Sequence, residues 1–243
     1  MDRIIKITLS VFVVVLVIFT GAVGYSVFKE NAYRTSLTGT YTYNCTISTD
    51  SVLGNVTLFL PVPADMNGNS PIVALYSGKQ ITGVPDTWVT TLYDTGKATL
   101  VKVTIPSVIP PDGTTTAHPY VVTLSASTSS RTRIDTRNPV VNSSMFRPIT
   151  DLTPAECRDT VPPADNRQCA TYLTSLYADY QASPNATVSI TAALRGENNW
   201  NIFGPTENAY TTQIYIMMQG ENHGWATVRG YLEKGIGYDD PSL

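Results

Sequence analysis

Two glutamates stand in an internal echo near the carboxyl end of this 243-residue chain. Val188–Leu194 leads into Arg195-Gly196-Glu197-Asn198-Asn199-Trp200, and Ile214–Met218 leads into Gln219-Gly220-Glu221-Asn222-His223-Gly224-Trp225. A strand, a Gly-Glu-Asn turn and a Trp-led strand recur, which reads as two consecutive β-hairpins: glycine supplies positive φ and asparagine tolerates it. If the two turns met at one end of the fold, Glu197 and Glu221 would form a carboxylate pair suited to glycoside hydrolysis or to holding a cation. The plainer expectation is two solvated loop tips. Trp200 and Trp225, just after those turns, could sit at a rim and stack on sugar rings, although burial is the ordinary fate of such side chains.

Other reactive patterns are missing. Nucleophile-elbow, HExxH, Walker and GxGxxG motifs do not occur. A serine or cysteine triad would have to use His118, ahead of Pro119, or His223, in a Gly-rich turn; neither has a partner motif, so both read as solvated turn residues. Asp65-Met66-Asn67-Gly68-Asn69-Ser70 alternates oxygen side chains as a calcium loop does. Its glycine falls fourth rather than sixth, however, and Tyr76 occupies the twelfth place where glutamate belongs, which favours a plain turn. There is no Cys-X-X-Cys, and no metal or other cofactor is expected. Cys157 and Cys169 bracket a polar, proline-rich stretch with no core of its own; pairing them would contribute about 3 kcal/mol. Cys45 reads as a buried small hydrophobe, with pairing to Cys157 or Cys169 as the alternative.

The elements that must position these residues begin with an apolar segment. Ile7–Phe28 holds 22 residues without a charge, flanked by Arg3 and Lys6 on one side and Lys29 and Glu30 on the other. As a helix it is about 33 Å long, enough for a hydrocarbon core of about 30 Å. Ala22-Val23-Gly24 also fits a signal peptide cleaved after Gly24, but apolar character continues through Tyr25, Val27 and Phe28, which favours a retained anchor. The expected organisation is an anchor or signal peptide over 1–28, a stalk over 29–38, an extracytoplasmic domain over 39–238 and a tail over 239–243. Four Asn-X-Ser/Thr sequons, at Asn44, Asn55, Asn142 and Asn185, are expected to carry glycans on an exported surface.

Charged residues make up only 14% of the chain and the net charge is −3, so there is no basic footprint for nucleic acid. A hydrophobic content of 42% excludes a disordered chain, and 34 Thr with 14 Tyr favour strands. Period-2 alternation predicts an all-β antiparallel sandwich, immunoglobulin-like or jelly-roll-like. Over Thr40–Ile47, Tyr41, Tyr43, Cys45 and Ile47 share one face. Over Asn55–Leu60, Val56, Leu58 and Leu60 alternate with Asn55, Thr57 and Phe59. Both sequon asparagines thus fall on the polar faces of their strands. Pro61 and Pro63 end the second strand, and Ile72–Tyr76 reads as the next. Thr87–Tyr93 and Ala98–Ile105 flank a turn at Asp94-Thr95-Gly96-Lys97, and Ile105-Pro106 opens a break that lasts to Tyr120–Thr128. Residues 129–168 are too long for a featureless loop and read either as a boundary between two subdomains or, better, as a crossover pinned by a disulfide, since neither half alone supplies a two-sheet core. Thr171–Tyr180 fits a helical face as well, but its tyrosines favour a strand.

Asn55-Val56-Thr57-Leu58-Phe59-Leu60-Pro61-Val62-Pro63, Ala178-Asp179-Tyr180 with Pro184-Asn185-Ala186-Thr187-Val188, and Arg195-Gly196-Glu197-Asn198-Asn199-Trp200 resemble segments of uncharacterised cell-surface proteins of methanogenic and halophilic archaea. Those proteins have one amino-terminal membrane segment followed by a Thr/Asn-rich β-domain. The resemblance implies an archaeal envelope setting and carries no functional residue. The leading expectation is a non-catalytic, single-pass protein with a structural or adhesive role in the cell envelope, in contact with a glycan or an envelope protein. Two alternatives accompany it: a carbohydrate- or envelope-polymer-binding module using Trp200 and Trp225, and a hydrolase using the loop carboxylates.

Overall fold

The computed structural model describes residues 2–78, 80–94, 99–157 and 168–235. It opens with a single helix, α1 (Asp2–Ser36), whose 35 residues span about 52 Å. The apolar run contains no proline, and a helix satisfies every backbone polar group from within, which is what a lipid surround demands. Among the described residues it is the one helix long and apolar enough to cross a membrane. The expected stalk is part of the same helix. α1 runs on past Phe28 to Ser36, and Tyr33 and Leu37 are buried against Trp200.

Ten antiparallel strands follow: β1 (Thr38–Thr49), β2 (Leu53–Pro61), β3 (Val89–Asp94), β4 (Thr99–Val108), β5 (Tyr120–Ser130), β6 (Thr150–Ala155), β7 (Cys169–Ala182), β8 (Thr187–Asn201), β9 (Pro205–Gln219) and β10 (Asn222–Glu233). Two short helices, α2 (Val73–Ser77) and α3 (Pro139–Asn142), lie in the connections. The all-β expectation holds, but the strands form one sheet rather than two. Nine run in the order β3-β4-β2-β7-β10-β9-β8-β1-β5, strongly curled into a half-barrel, and β6 pairs with β7 alone.

Alternation is what drives the curl. Even-numbered residues of β8, from Val188 to Trp200, are all buried, as are Tyr43, Cys45 and Ile47 of β1 and Val56, Leu58 and Leu60 of β2. These apolar faces meet inside the curve in one core, except Trp200, which packs separately with Tyr33 and Leu37. β1 and β2 are consecutive yet unpaired, because the chain crosses from one arm of the sheet to the other at Asp50. There the Asp50 carboxylate accepts hydrogen bonds from the Thr187 amide at 2.8 Å and the Thr116 hydroxyl at 2.7 Å. β8 and β9 form a full-length hairpin from Thr187↔Gln219 to Asn201↔Pro205. β9 and β10 pair only over Thr211–Tyr215 and Arg229–Glu233, and then part.

Two local expectations are corrected. Ile72–Tyr76 is no strand: the Ile72 carbonyl accepts from the Leu75 and Tyr76 amides, and α2 follows, with Ile72 and Leu75 in the core. A short apolar run does not by itself separate a strand from one buried helical turn. Nor does Pro106 break the sheet, since β4 continues to Val108. Pro106 falls opposite Asn55, the positive-φ residue where the β2 register shifts, and beyond the last β3 pair, Val89↔Thr104, so the ladder asks no amide hydrogen of it.

The crossover packs into the same core through Ile134, Met145 and Phe146. Its backbone is held by a buried side chain of the sheet: Asn198 accepts from the Ile134 amide at 2.8 Å and donates to the Ile134 carbonyl at 2.7 Å. Cys157 and Cys169 are joined by a disulfide, and Cys45 is a buried free thiol, as the simpler reading of the cysteines has it. Residues 158–167 between the paired cysteines, part of the 94–97 turn and the 239–243 tail lie outside the described residues.

Candidate functional site

The outward face of one arm carries a line of aromatic rings. The strand registers set Trp225 of β10 opposite Tyr177 of β7, Tyr177 opposite Phe59 of β2, and Phe59 opposite Lys102 of β4. Each lies at an odd or outward position of its strand, so all project from the convex side. The Trp225 and Tyr177 ring centroids are 5.5 Å apart, Tyr177 and Phe59 5.2 Å, and Phe59 and Tyr93 of β3 5.1 Å, each pair edge to face. Lys102 Nζ stands 5.8 Å from the Phe59 centroid. From β10 to β4 the row covers about 14 Å at the usual strand spacing. Trp225 is 61% exposed and Tyr93 50% exposed. Phe59 and Tyr177 between them are half-buried, so the row is a candidate contact surface with an exposed ring at each end.

A polar row runs beside it. His223 pairs with Asp179, and Asp179 with Thr57, one step along the same strands. His223 Nδ1 lies 2.8 Å from Asp179 Oδ1, and the Tyr177 hydroxyl donates to Asp179 Oδ2 at 3.3 Å. Glu221 Oε2 stands 3.8 Å from His223 Nε2. The hydrogen bond that the imidazole donates to Asp179 raises the His223 pKa above its ordinary value near 6.5, reinforced by the charges of Asp179 and Glu221. Tyr177 is also raised, by desolvation first and then by the Asp179 carboxylate. The edge of the aromatic row therefore offers an anionic acceptor and a histidine within reach of one ligand.

The residues singled out in the sequence separate into different places. Trp225 belongs to the row. Trp200 does not: it is 7% exposed and meets Tyr33 of α1 edge-on at 5.7 Å. Glu221 lies in the β9–β10 turn as expected, beside His223. Glu197 is not in a turn at all, because β8 runs unbroken through it to Asn201. Gly196 is a strand residue whose missing side chain makes room for the Tyr210 ring, only 2.3 Å from where a Cβ would stand. Glu197 pairs with Ala209, ten residues along the hairpin from the Gln219 end, or about 33 Å. Glycosidase carboxylates lie about 5–9.5 Å apart, so Glu197 and Glu221 form no such pair. Partial burial pushes the Glu197 pKa up, but hydrogen bonds from Asn199 and Arg195 outweigh it and hold the carboxyl below its ordinary value.

The remaining candidates are quickly placed. Asp65 Oδ1 already accepts from the amides of Asn67 and Asn69, at 2.8 and 2.9 Å, which closes the calcium-like loop on itself. No group of three or more metal-ligating His, Cys, Asp or Glu side chains occurs among the described residues. His118 is exposed in the Thr115–His118 turn. The interior between the arms leaves a cavity of only about 10 Å³ beside Ile47, Leu58, Trp88 and Tyr180, enough for one water at most. All four sequon asparagines are exposed. Sequence reasoning missed Phe59, Tyr177 and Tyr93 as a set. The available signal was Phe59, a large apolar ring on the same face as Asn55 and Thr57. Comparison with protein-family models, curated proteins and solved structures finds no match to this chain.

Proposed function

We propose that this is a non-catalytic, membrane-anchored extracytoplasmic protein with an adhesive role in the cell envelope, gripping carbohydrate or another envelope polymer along the aromatic row. The observation that carries this reading is the Trp225–Tyr177–Phe59–Tyr93 line with Lys102 and the Asp179–His223 pair at its margin. Aromatic faces stack on the apolar faces of sugars, and the flanking carboxylate and imidazole can hydrogen-bond hydroxyl groups. A filled interior leaves an outer face as the place for a long ligand.

The setting is supported by the apolar helix, the disulfide and four exposed sequon asparagines, which suit glycan attachment outside the cell. A helix continuous through Gly24 and seated on the domain favours a retained anchor over secretion, with the carboxyl-terminal domain outside. The single curled sheet folds its two arms over one core, a half-barrel that does the work expected of the two layers of an immunoglobulin-like or jelly-roll-like sandwich. An archaeal envelope of the kind the sequence resembles would provide such polymers.

The test is titration of the full chain, held in nanodiscs, with purified envelope polysaccharides. Trp225→Ala is expected to weaken binding at least about tenfold, or about 1.4 kcal/mol, while Trp200→Phe leaves it unchanged. Equal affinity of wild type and Trp225→Ala would remove the aromatic row from the function.

A further inference from the structure

The β8–β9 turn, at the end of the sheet nearest α1, carries an unusual residue at its tip. Phe203 is 70% exposed, with no core contact to account for a large apolar ring. It lies 6.0 Å from the Tyr25 ring, nearly parallel, and 6.1 Å from Phe28. Both belong to the last turns of the charge-free run that ends at Phe28. Lys29 Nζ then stands 5.9 Å from the Tyr25 ring. Aromatic rings followed at once by a basic residue are what a membrane–water boundary selects.

We infer that the β8–β9 turn is seated in the outer bilayer interface, with Phe203 inserted beside Tyr25 and Phe28 as a second membrane contact of the domain. The inference rests on reading Ile7–Phe28 as a membrane span. Given that span, the argument is continuity: a ring packed on Tyr25 and Phe28 shares their surroundings. About 20 residues cross the hydrocarbon, so a span starting near Ile7 reaches its outer boundary at about Val27. The turn cannot swing away easily. Tyr33 and Leu37 of the helix segment pack on Trp200, and Ser36 Oγ accepts from the Asn201 amide at 2.9 Å, two residues before Phe203. The occupant of this apolar tip is thus lipid at the level of the headgroups and first methylenes.

The experiment is spin-label depth measurement on the full chain in vesicles of phosphatidylcholine and phosphatidylglycerol. Labels are placed singly at Phe203→Cys, Leu16→Cys and Val52→Cys, Cys45 being buried and the other cysteines paired. A fourth, Gly204→Cys, leaves Phe203 in place, and a Cβ there meets nothing within 4 Å. Labels at 203 and 204 are expected to collide with oxygen several-fold more than with a water-soluble nickel chelate. They should fall between the mid-span label and the fully aqueous label at 52. Aqueous behaviour at 203 and 204 with a lipid-immersed label at 16 overturns this inference and leaves the anchor standing. Aqueous behaviour at 16 overturns the anchor and this inference together.

Discussion

His223 puts a titratable imidazole at the margin of the aromatic row. Its hydrogen bond to Asp179 raises its folded pKa above about 6.5. A raised folded pKa means that the stabilisation from this pair is fully present below the unfolded value and is lost as pH rises through the folded one. We predict that the His223 imidazole resonances titrate with a midpoint above 6.5, and that Asp179→Asn moves the midpoint down. Cys45 makes the opposite point about a buried group. Burial pushes its thiol up to about 12, so it holds little thiolate at neutral pH. Iodoacetamide is expected to leave it unmodified in the folded chain and to alkylate it once denaturant is added. Asn198 carries structural weight that its sequence context hid. Asn198→Ala strips the partners from a buried amide and carbonyl of Ile134 and should cost about 2 kcal/mol in denaturant unfolding.

At the scale of elements, period-2 alternation made most strands legible, since Tyr43, Cys45 and Ile47 or Leu58 and Leu60 had one face to bury. What alternation did not reveal was where β8 stops. Arg195-Gly196-Glu197-Asn198 has turn composition, yet Gly196 serves as a seat for the Tyr210 ring, and Asn198 bonds to a crossover segment distant in sequence. Both reasons live in partners that local composition does not name. The same logic hid Tyr177 and Phe59, whose proximity is set by the β2–β7 register rather than by either strand alone. Gly196→Ala should therefore destabilise the β8–β9 hairpin by about 1–3 kcal/mol through overpacking, measured as a lowered denaturation midpoint. Gly230, with Tyr172 at 2.2 Å from its would-be Cβ, provides an independent repeat of that experiment on β10.

At the scale of the whole molecule, the helix and the row occupy different regions. The hairpin turn at Phe203 marks the end nearest α1, while Trp225 and His223 lie towards the opposite end of β10 from the stretch paired with β9. On the proposed reading this separation holds the aromatic row away from the lipid, as reaching for material above the cell surface requires. The disulfide fastens the end of the crossover where Ala155 of β6 meets Cys169 of β7. Cys157→Ser with Cys169→Ser is expected to lower stability by about 3 kcal/mol.

The parting of β9 from β10 has a further effect. Most sheets have two borders; this one gains another pair partway across, where Ile216 to Gln219 keep β8 for company but lose β10. The amides there that point across the gap have no ladder partner, so the fold carries a built-in seam. Hydrogen exchange should find that seam first: the gap-facing amides of Ile216 to Gln219 are expected to exchange faster than the laddered ones of Thr211 to Tyr215.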